Sequence, residues 1–132
     1  MRSEELKRRT KDFAVRVVKM FRRLPKTTEA RIIGRQVIRS GTSVAANYRA
    51  ACRARSRAEF AAKLGVVLEE ADETVLWFEI LVEAEIVSRP RMNALLREAN
   101  ELLAIFGASV HTARSRAATK SSRGSKVTND QI

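Results

Sequence analysis

The sequence has little of what small proteins use for covalent bracing or chemistry. One cysteine in 132 residues excludes a disulfide framework and a cysteine-rich zinc site. One histidine removes most acid–base and metal constellations. Two prolines and five glycines are too few for a sandwich or barrel, where each hairpin needs its own turn residues. Aromatic residues are only 5%, so rings interleaved with basic residues, the pattern of base-stacking surfaces, are missing. The longest greasy run, Leu102 to Phe106, stops at Gly107, far short of the roughly 20 residues of a membrane span. The opening MRSEELKRRTKD is charged throughout and has no signal-peptide core, so a cytoplasmic protein that avoids membranes is expected.

What the chain does have is hydrophobic residues, at 45%, and positive charge. That apolar content supplies a core and excludes global disorder, and the length suits one domain. The net charge of +11 is unevenly placed. Residues 1–63 hold 18 basic and 5 acidic side chains, residues 64–113 hold 3 and 9, and residues 114–132 hold 5 and 1. A basic half, an acidic half and a basic tail describe surfaces and partners rather than fold.

Apolar spacing predicts four helices and no strand. The first, from about Glu4 to Leu24, places Phe13, Val17, Met20, Phe21 and Leu24 on one face, and Pro25 ends it. The second, with Thr28 as N-cap, repeats Ile32, Ile33, Val37, Val44 and Tyr48. Gly34 and Gly41 lie within it, each at a cost in helix propensity. The small residues Gly41, Ser43, Ala45 and Ala46 either admit a neighbouring backbone closely or mark a break at Ser40–Thr42. Ser56-Arg57-Ala58-Glu59 is a capping box that opens the third helix, carried to Glu85 by a stripe from Phe60 to Val82. Ser88, with Pro90 just inside, opens the fourth, whose stripe runs from Met92 to Val110. Short connections join these into an all-α, antiparallel, up-and-down four-helix bundle over residues 1–115. Residues 116–132, polar and aperiodic, read as a disordered basic tail.

No catalytic residue, cofactor or metal site is expected. There is no glycine-rich phosphate loop, and the acids Glu69, Glu70, Asp72 and Glu73 lack the histidine of a di-iron bundle. Cys52 has no accompanying base, and His111 suits the end of a helix. Glu69, Asp72 and Glu73 share a face; they are either a solvated flank or partners for arginines such as Arg35 or Arg39, or for a neighbouring subunit. Arg31, Arg35 and Arg39 stack at i, i+4, i+8, while Arg49, Arg53, Arg55, Arg57 and Lys63 crowd the junction of the second and third helices. A charged stripe is ordinarily a solvated face, but this density with so few local acids suits nucleic-acid phosphates. Arg31, Arg35, Arg49, Arg53, Arg55, Arg57 and Lys63 are therefore the candidate contacts to RNA or DNA, through the backbone and without base reading. Trp77 and Ile80 fall off the main stripe of the third helix. They mark either a wide core stripe or an oligomer interface, where acidic and basic halves could meet head to tail.

The stretch from Arg39 to Leu81, chiefly Ser43-Val44-Ala45-Ala46-Asn47, Arg55-Ser56, Glu59-Phe60 and Leu68-Glu69-Glu70-Ala71, resembles the bacterial four-helix bundle protein family. That family includes proteins encoded in intervening sequences of large-subunit ribosomal RNA genes. The chain is also similar in fold to the accessory variability protein of diversity-generating retroelements. Many members have proline where Ala45 stands and Glu-Gly where Ala50-Ala51 stands, so this chain resembles a variant branch. The resemblance, from about Phe13 to Phe106, implies a homopentameric ring with a basic surface. In the retroelement branch it implies a nucleic-acid platform that engages a reverse transcriptase. The reading is thus a non-enzymatic oligomer that binds RNA or DNA. The alternative is an interaction scaffold that docks an acidic protein.

Overall fold

The computed structural model describes the backbone of residues 2–129 and the side chains of residues 2–119. Four helices follow one another: α1 (Ser3–Arg22), α2 (Thr28–Ala51), α3 (Arg57–Glu83) and α4 (Arg89–Asn129). Five residues separate each consecutive pair, too few to cross the bundle, so neighbours in sequence lie antiparallel side by side. α1 packs on α2, α2 on α3 and α3 on α4, and α4 meets α1 more loosely to close the bundle. Among the described residues there is no strand.

Local sequence explains the helix ends. The Thr27 hydroxyl accepts the Ala30 N–H at 3.3 Å, so the α2 cap is Thr27 and the expected cap, Thr28, is already helical. The same hydroxyl and the helix backbone hold the Glu29 carboxylate below the usual carboxylate range. Ser56 caps α3 by accepting the Glu59 N–H at 3.0 Å, as the capping box requires. The Glu59 carboxylate reaches back to the Arg55 N–H at 3.4 Å, one residue earlier than the standard box. α3 ends at Glu83, where Glu85 takes a left-handed φ of 62°. Ile86 then donates to the Leu81 carbonyl at 2.9 Å, and Glu85 to that of Val82 at 3.0 Å: a Schellman ending without its usual glycine. α4 continues as helix past residue 115, into the stretch expected to be a disordered tail. Residues 116–129 of that stretch are helical, and residues 130–132 lie outside the described residues.

The core is built from the stripes the sequence displays. Phe13 and Val17 of α1, Val37 and Val44 of α2, Leu64, Phe78 and Leu81 of α3, and Leu102 and Phe106 of α4 are at most 1% exposed. Phe13 meets Phe78 edge-on at 6.3 Å, and Tyr48 lies against Phe106 at 5.3 Å between ring centroids. α2 is unbroken across Ser40–Thr42, and its glycines serve close approach. A Cβ at Gly41 would stand 2.9 Å from a Val17 methyl, and one at Gly34 would stand 2.7 Å from a Leu24 methyl. Where α2 meets α3, the buried hydroxyls of Ser40 and Thr74 share a hydrogen bond of 2.8 Å, so a polar pair is satisfied inside the apolar layer.

Two sets of interhelical ion pairs tie the surface together. Arg9 of α1 grips Glu98 of α4 through two hydrogen bonds of 2.7 Å and reaches Glu101 at 2.7 Å. These carboxylates, Glu98 foremost, hold the guanidinium more firmly protonated than in an ordinary arginine, against the opposing effect of burial. Arg39 of α2 pairs with Glu70 and Glu73 of α3. Of the partners expected for the acidic cluster, Arg39 takes the role. Arg35 has no ion pair among the described residues.

Candidate nucleic-acid interface

Antiparallel packing gathers the start of α1, the end of α2, the start of α3 and the later half of α4 at one end of the bundle. Arg49 is on the last turn of α2, Arg53 and Arg55 are in the α2–α3 connection, and Arg57 opens α3; all four are exposed. Lys63, two turns into α3, is half-buried. Among the described residues none of these five pairs with a carboxylate. The other two candidates are also exposed but lie elsewhere. Arg35 precedes Arg49 by 14 residues, about 21 Å along α2, and Arg31 is a further turn away. The seven expected contacts thus divide into a cluster of five at one end and a pair toward the other.

The structure adds cations that a helix-by-helix reading missed. Lys7, Arg8 and Lys11 of α1 line a groove of about 440 Å³ opposite Arg49 of α2. Glu4 also lines it and pairs with Lys7 at 3.0 Å, leaving Arg8, Lys11 and Arg49 to set its sign. The signal in the sequence was the α1 charge itself, but spacing along one helix does not reveal which groove it borders. Arg114 of α4 belongs to the same end. Its guanidinium lies 3.4 Å from where a Cβ on Gly65 would stand, so the bare glycine lets this side chain settle on α3. Such a concentration of uncompensated charge attracts polyanions over a range set by ionic strength.

The remaining surfaces have a different character. Leu76 of α3 is 49% exposed and is ringed by Glu69, Asp72, Glu73 and Glu79. In the α1–α4 cleft at the opposite end, Arg16, Lys19, Arg23 and Arg91 surround an apolar floor that includes Met20 and Leu95. Trp77 is half-buried and packs on the core, and its indole N–H is enclosed without an acceptor; Ile80 is half-buried. No group of histidine, cysteine, aspartate and glutamate among the described residues is arranged to hold a metal ion. No helix among them is long and apolar enough to cross a membrane.

The architecture is that of an all-α four-helix bundle with a cationic end. The chain belongs to the 23S rRNA-intervening sequence protein family, whose model matches residues 2–108. It is similar to a protein of unknown function from the S23 ribosomal protein family of Bacteroides thetaiotaomicron, known from a crystal structure. The two are 32% identical with a TM-score of 0.78, over 84% of this chain and 99% of the other. No curated protein matches the chain.

Proposed function

We propose that this protein is a non-enzymatic, self-associating bundle that binds RNA or DNA through the phosphate backbone at its cationic end. The observation that carries the reading is the meeting, at one end, of Arg8 and Lys11 of α1, Arg49 of α2, Arg53 and Arg55 of the connection, and Arg57 of α3. Like charges held this close repel one another, and a phosphate chain relieves that repulsion while releasing its own counterions. The guanidinium groups suit phosphate geometry, and none is committed to a carboxylate among the described residues.

Self-association is supported by complementary surfaces on one chain. The acid-ringed Leu76 and the cation-ringed α1–α4 cleft have opposite sign, and each carries an apolar centre. Contact between two such unlike surfaces is heterologous and closes into a ring when the rotation permits, in keeping with the pentamer that the family resemblance implies. Trp77 and Ile80 lie on the same helix as Leu76 and remain interface candidates. An accessory role beside a reverse transcriptase or in a ribonucleoprotein is the setting that resemblance suggests.

The alternative, a scaffold that docks an acidic protein without nucleic acid, draws support from the same cationic cleft. Mobility-shift titration of RNA and DNA separates the two. Binding that weakens at least ten-fold when Arg49, Arg53 and Arg55 are together replaced by glutamine supports the proposal. No shift of either nucleic acid at low salt, with an acidic partner retained after nuclease treatment, establishes the scaffold instead.

A further inference from the structure

The cationic end also holds a cavity with a different chemistry from the surface around it. Between the start of α1, the first turns of α3 and the later part of α4 lies a cavity of about 760 Å³, within the roughly 300–1,000 Å³ range of small-ligand pockets. Its apolar lining includes Leu6, Tyr48, Phe60 and Leu64. Tyr48 is buried and backed by Phe106, whereas Phe60 is half-buried and follows directly on the α3 capping box. Arg57 of α3 and Arg116 of α4 line the same cavity, and both are exposed. Thr112, also exposed, adds a hydroxyl, and no carboxylate among the described residues lines it.

An aromatic, apolar floor bordered by guanidinium groups from two helices suits a flat ring that carries a phosphate. Arg57 belongs at once to this cavity and to the backbone-binding cluster, so a strand following Arg53, Arg55 and Arg57 passes its mouth. A paired base cannot leave its stack without cost, but a base in a single strand can turn outward and stack on an aromatic side chain. We infer that this cavity receives one unstacked base of a single-stranded nucleic acid, with Phe60 as its stacking platform and Arg57 and Arg116 on the flanking phosphates. The inference rests on the proposed backbone binding and adds to it a preference for single strands. It also adds a stacking residue that the scarcity of aromatics in the sequence concealed.

The test uses the full chain and a short single-stranded RNA carrying a fluorescent adenine analogue whose emission falls on stacking, beside the same strand in a duplex. Phe60→Leu keeps an apolar side chain but removes the ring. Ala108→Phe, at an exposed position lining the cavity, fills the space without touching the core. The expected result is quenching on binding and tighter binding of the single strand than of the duplex. Each variant should abolish the quenching and weaken single-strand binding roughly 10- to 100-fold, the range of one lost stacked base, with duplex affinity and its salt dependence unchanged. Equal affinity for both forms, indifferent to both variants, overturns the inference while leaving backbone binding in place. Stabilisation of the protein against thermal unfolding by laurate, with the adenine analogue unquenched, reassigns the cavity to an apolar carboxylate and also overturns it. Failure of both nucleic-acid forms to bind at low salt removes the parent reading together with this one.

Discussion

Arg39 of α2 and Glu70 of α3 face each other across the helix interface at 3.2 Å, and Glu73, one turn further along α3, takes the second guanidinium nitrogen of the same arginine. The Arg31–Arg35–Arg39 stripe is therefore not uniform. Its last member is spent on holding α2 in register against α3, while Arg31 and Arg35 stay exposed. Arg39 is about half exposed, so the pair contributes at most about 1 kcal/mol and acts chiefly on alignment and charge.

Arg39→Gln is accordingly expected to leave RNA affinity within about two-fold, whereas Arg49→Gln, at an unpaired cation, weakens it by several-fold. Parallel titrations of the two variants at one salt concentration check this. An equal loss for both would show that Arg39 leaves its carboxylates to meet phosphate.

The close approach of α1 and α2 at Gly41 gives a stability prediction of definite sign. A Cβ there would stand 2.9 to 3.3 Å from three side-chain atoms of Val17, which is fully buried and branched at Cβ, so it has little room to turn aside. Alanine gains up to about 1 kcal/mol of helix propensity but meets an overpacking cost of about 1–3 kcal/mol, so Gly41→Ala should be destabilising on balance. Urea denaturation checks it, and a higher midpoint for the variant would contradict the close packing.

At the end of α3 the expected sign is reversed. Glu85 holds a left-handed conformation that glycine adopts without the steric penalty of a side chain, roughly 1–2 kcal/mol. Glu85 is exposed, so Glu85→Gly should raise stability by about 1 kcal/mol once glycine's greater freedom in the unfolded chain is subtracted. Thermal unfolding of the two proteins measures it.

Burial, and after it the neighbouring Cys52 side chain, push the Tyr48 phenol above its ordinary value of 10.0. The folded protein keeps this proton where the unfolded chain releases it. The associated stability is therefore complete below about pH 10 and is lost as pH rises toward the folded value. Tyr48→Phe should show a shallower alkaline decline than the parent protein when chemical denaturation is repeated from neutral pH upward. Identical slopes would mean that the phenol titrates alike in both states.

The fold was largely legible because each helix carries an apolar stripe and several helix ends carry a local signal, although the end of α4 does not. Ser56 and Glu59 cap α3, Pro25 follows α1, and most core residues are those that periodicity selects; Ile32, expected on the α2 stripe, is instead 56% exposed, and near the end of α3 Leu81 rather than Val82 is fully buried. What escaped were choices settled by three-dimensional packing. Spacing places the α2 cap at Thr28, whereas the hydroxyl that accepts the Ala30 N–H is that of Thr27. Gly41 was compatible with either a break or a close approach until Val17 was placed against it, and the close approach of Phe21 and Leu24 to Gly34 had no sequence signal. Glu85 gave no sign of its left-handed turn, since glycine is the usual signal.

The candidate interface was legible in half. The cluster from Arg49 to Lys63 is contiguous in sequence and stays together in space. Arg31 and Arg35 were grouped with it by charge alone, and the length of α2 separates them. Lys7, Arg8 and Lys11 could not be assigned from α1 by itself, because their site exists only once α2 lies alongside. Phe60 read as the first core residue of α3, and its place beside Arg57 and Arg116 needs the later part of α4.

The central claim, binding of phosphates by the cationic end, is tested most directly by the salt dependence of nucleic-acid affinity. A plot of log affinity against log salt should be linear and steeply negative, by roughly 0.7 per neutralised phosphate for a single strand and 0.9 for a duplex. Replacing Arg49, Arg53 and Arg55 by glutamine should reduce the slope by about one for each contact removed. An affinity that ignores ionic strength, or a slope unchanged in the triple variant, would contradict the account.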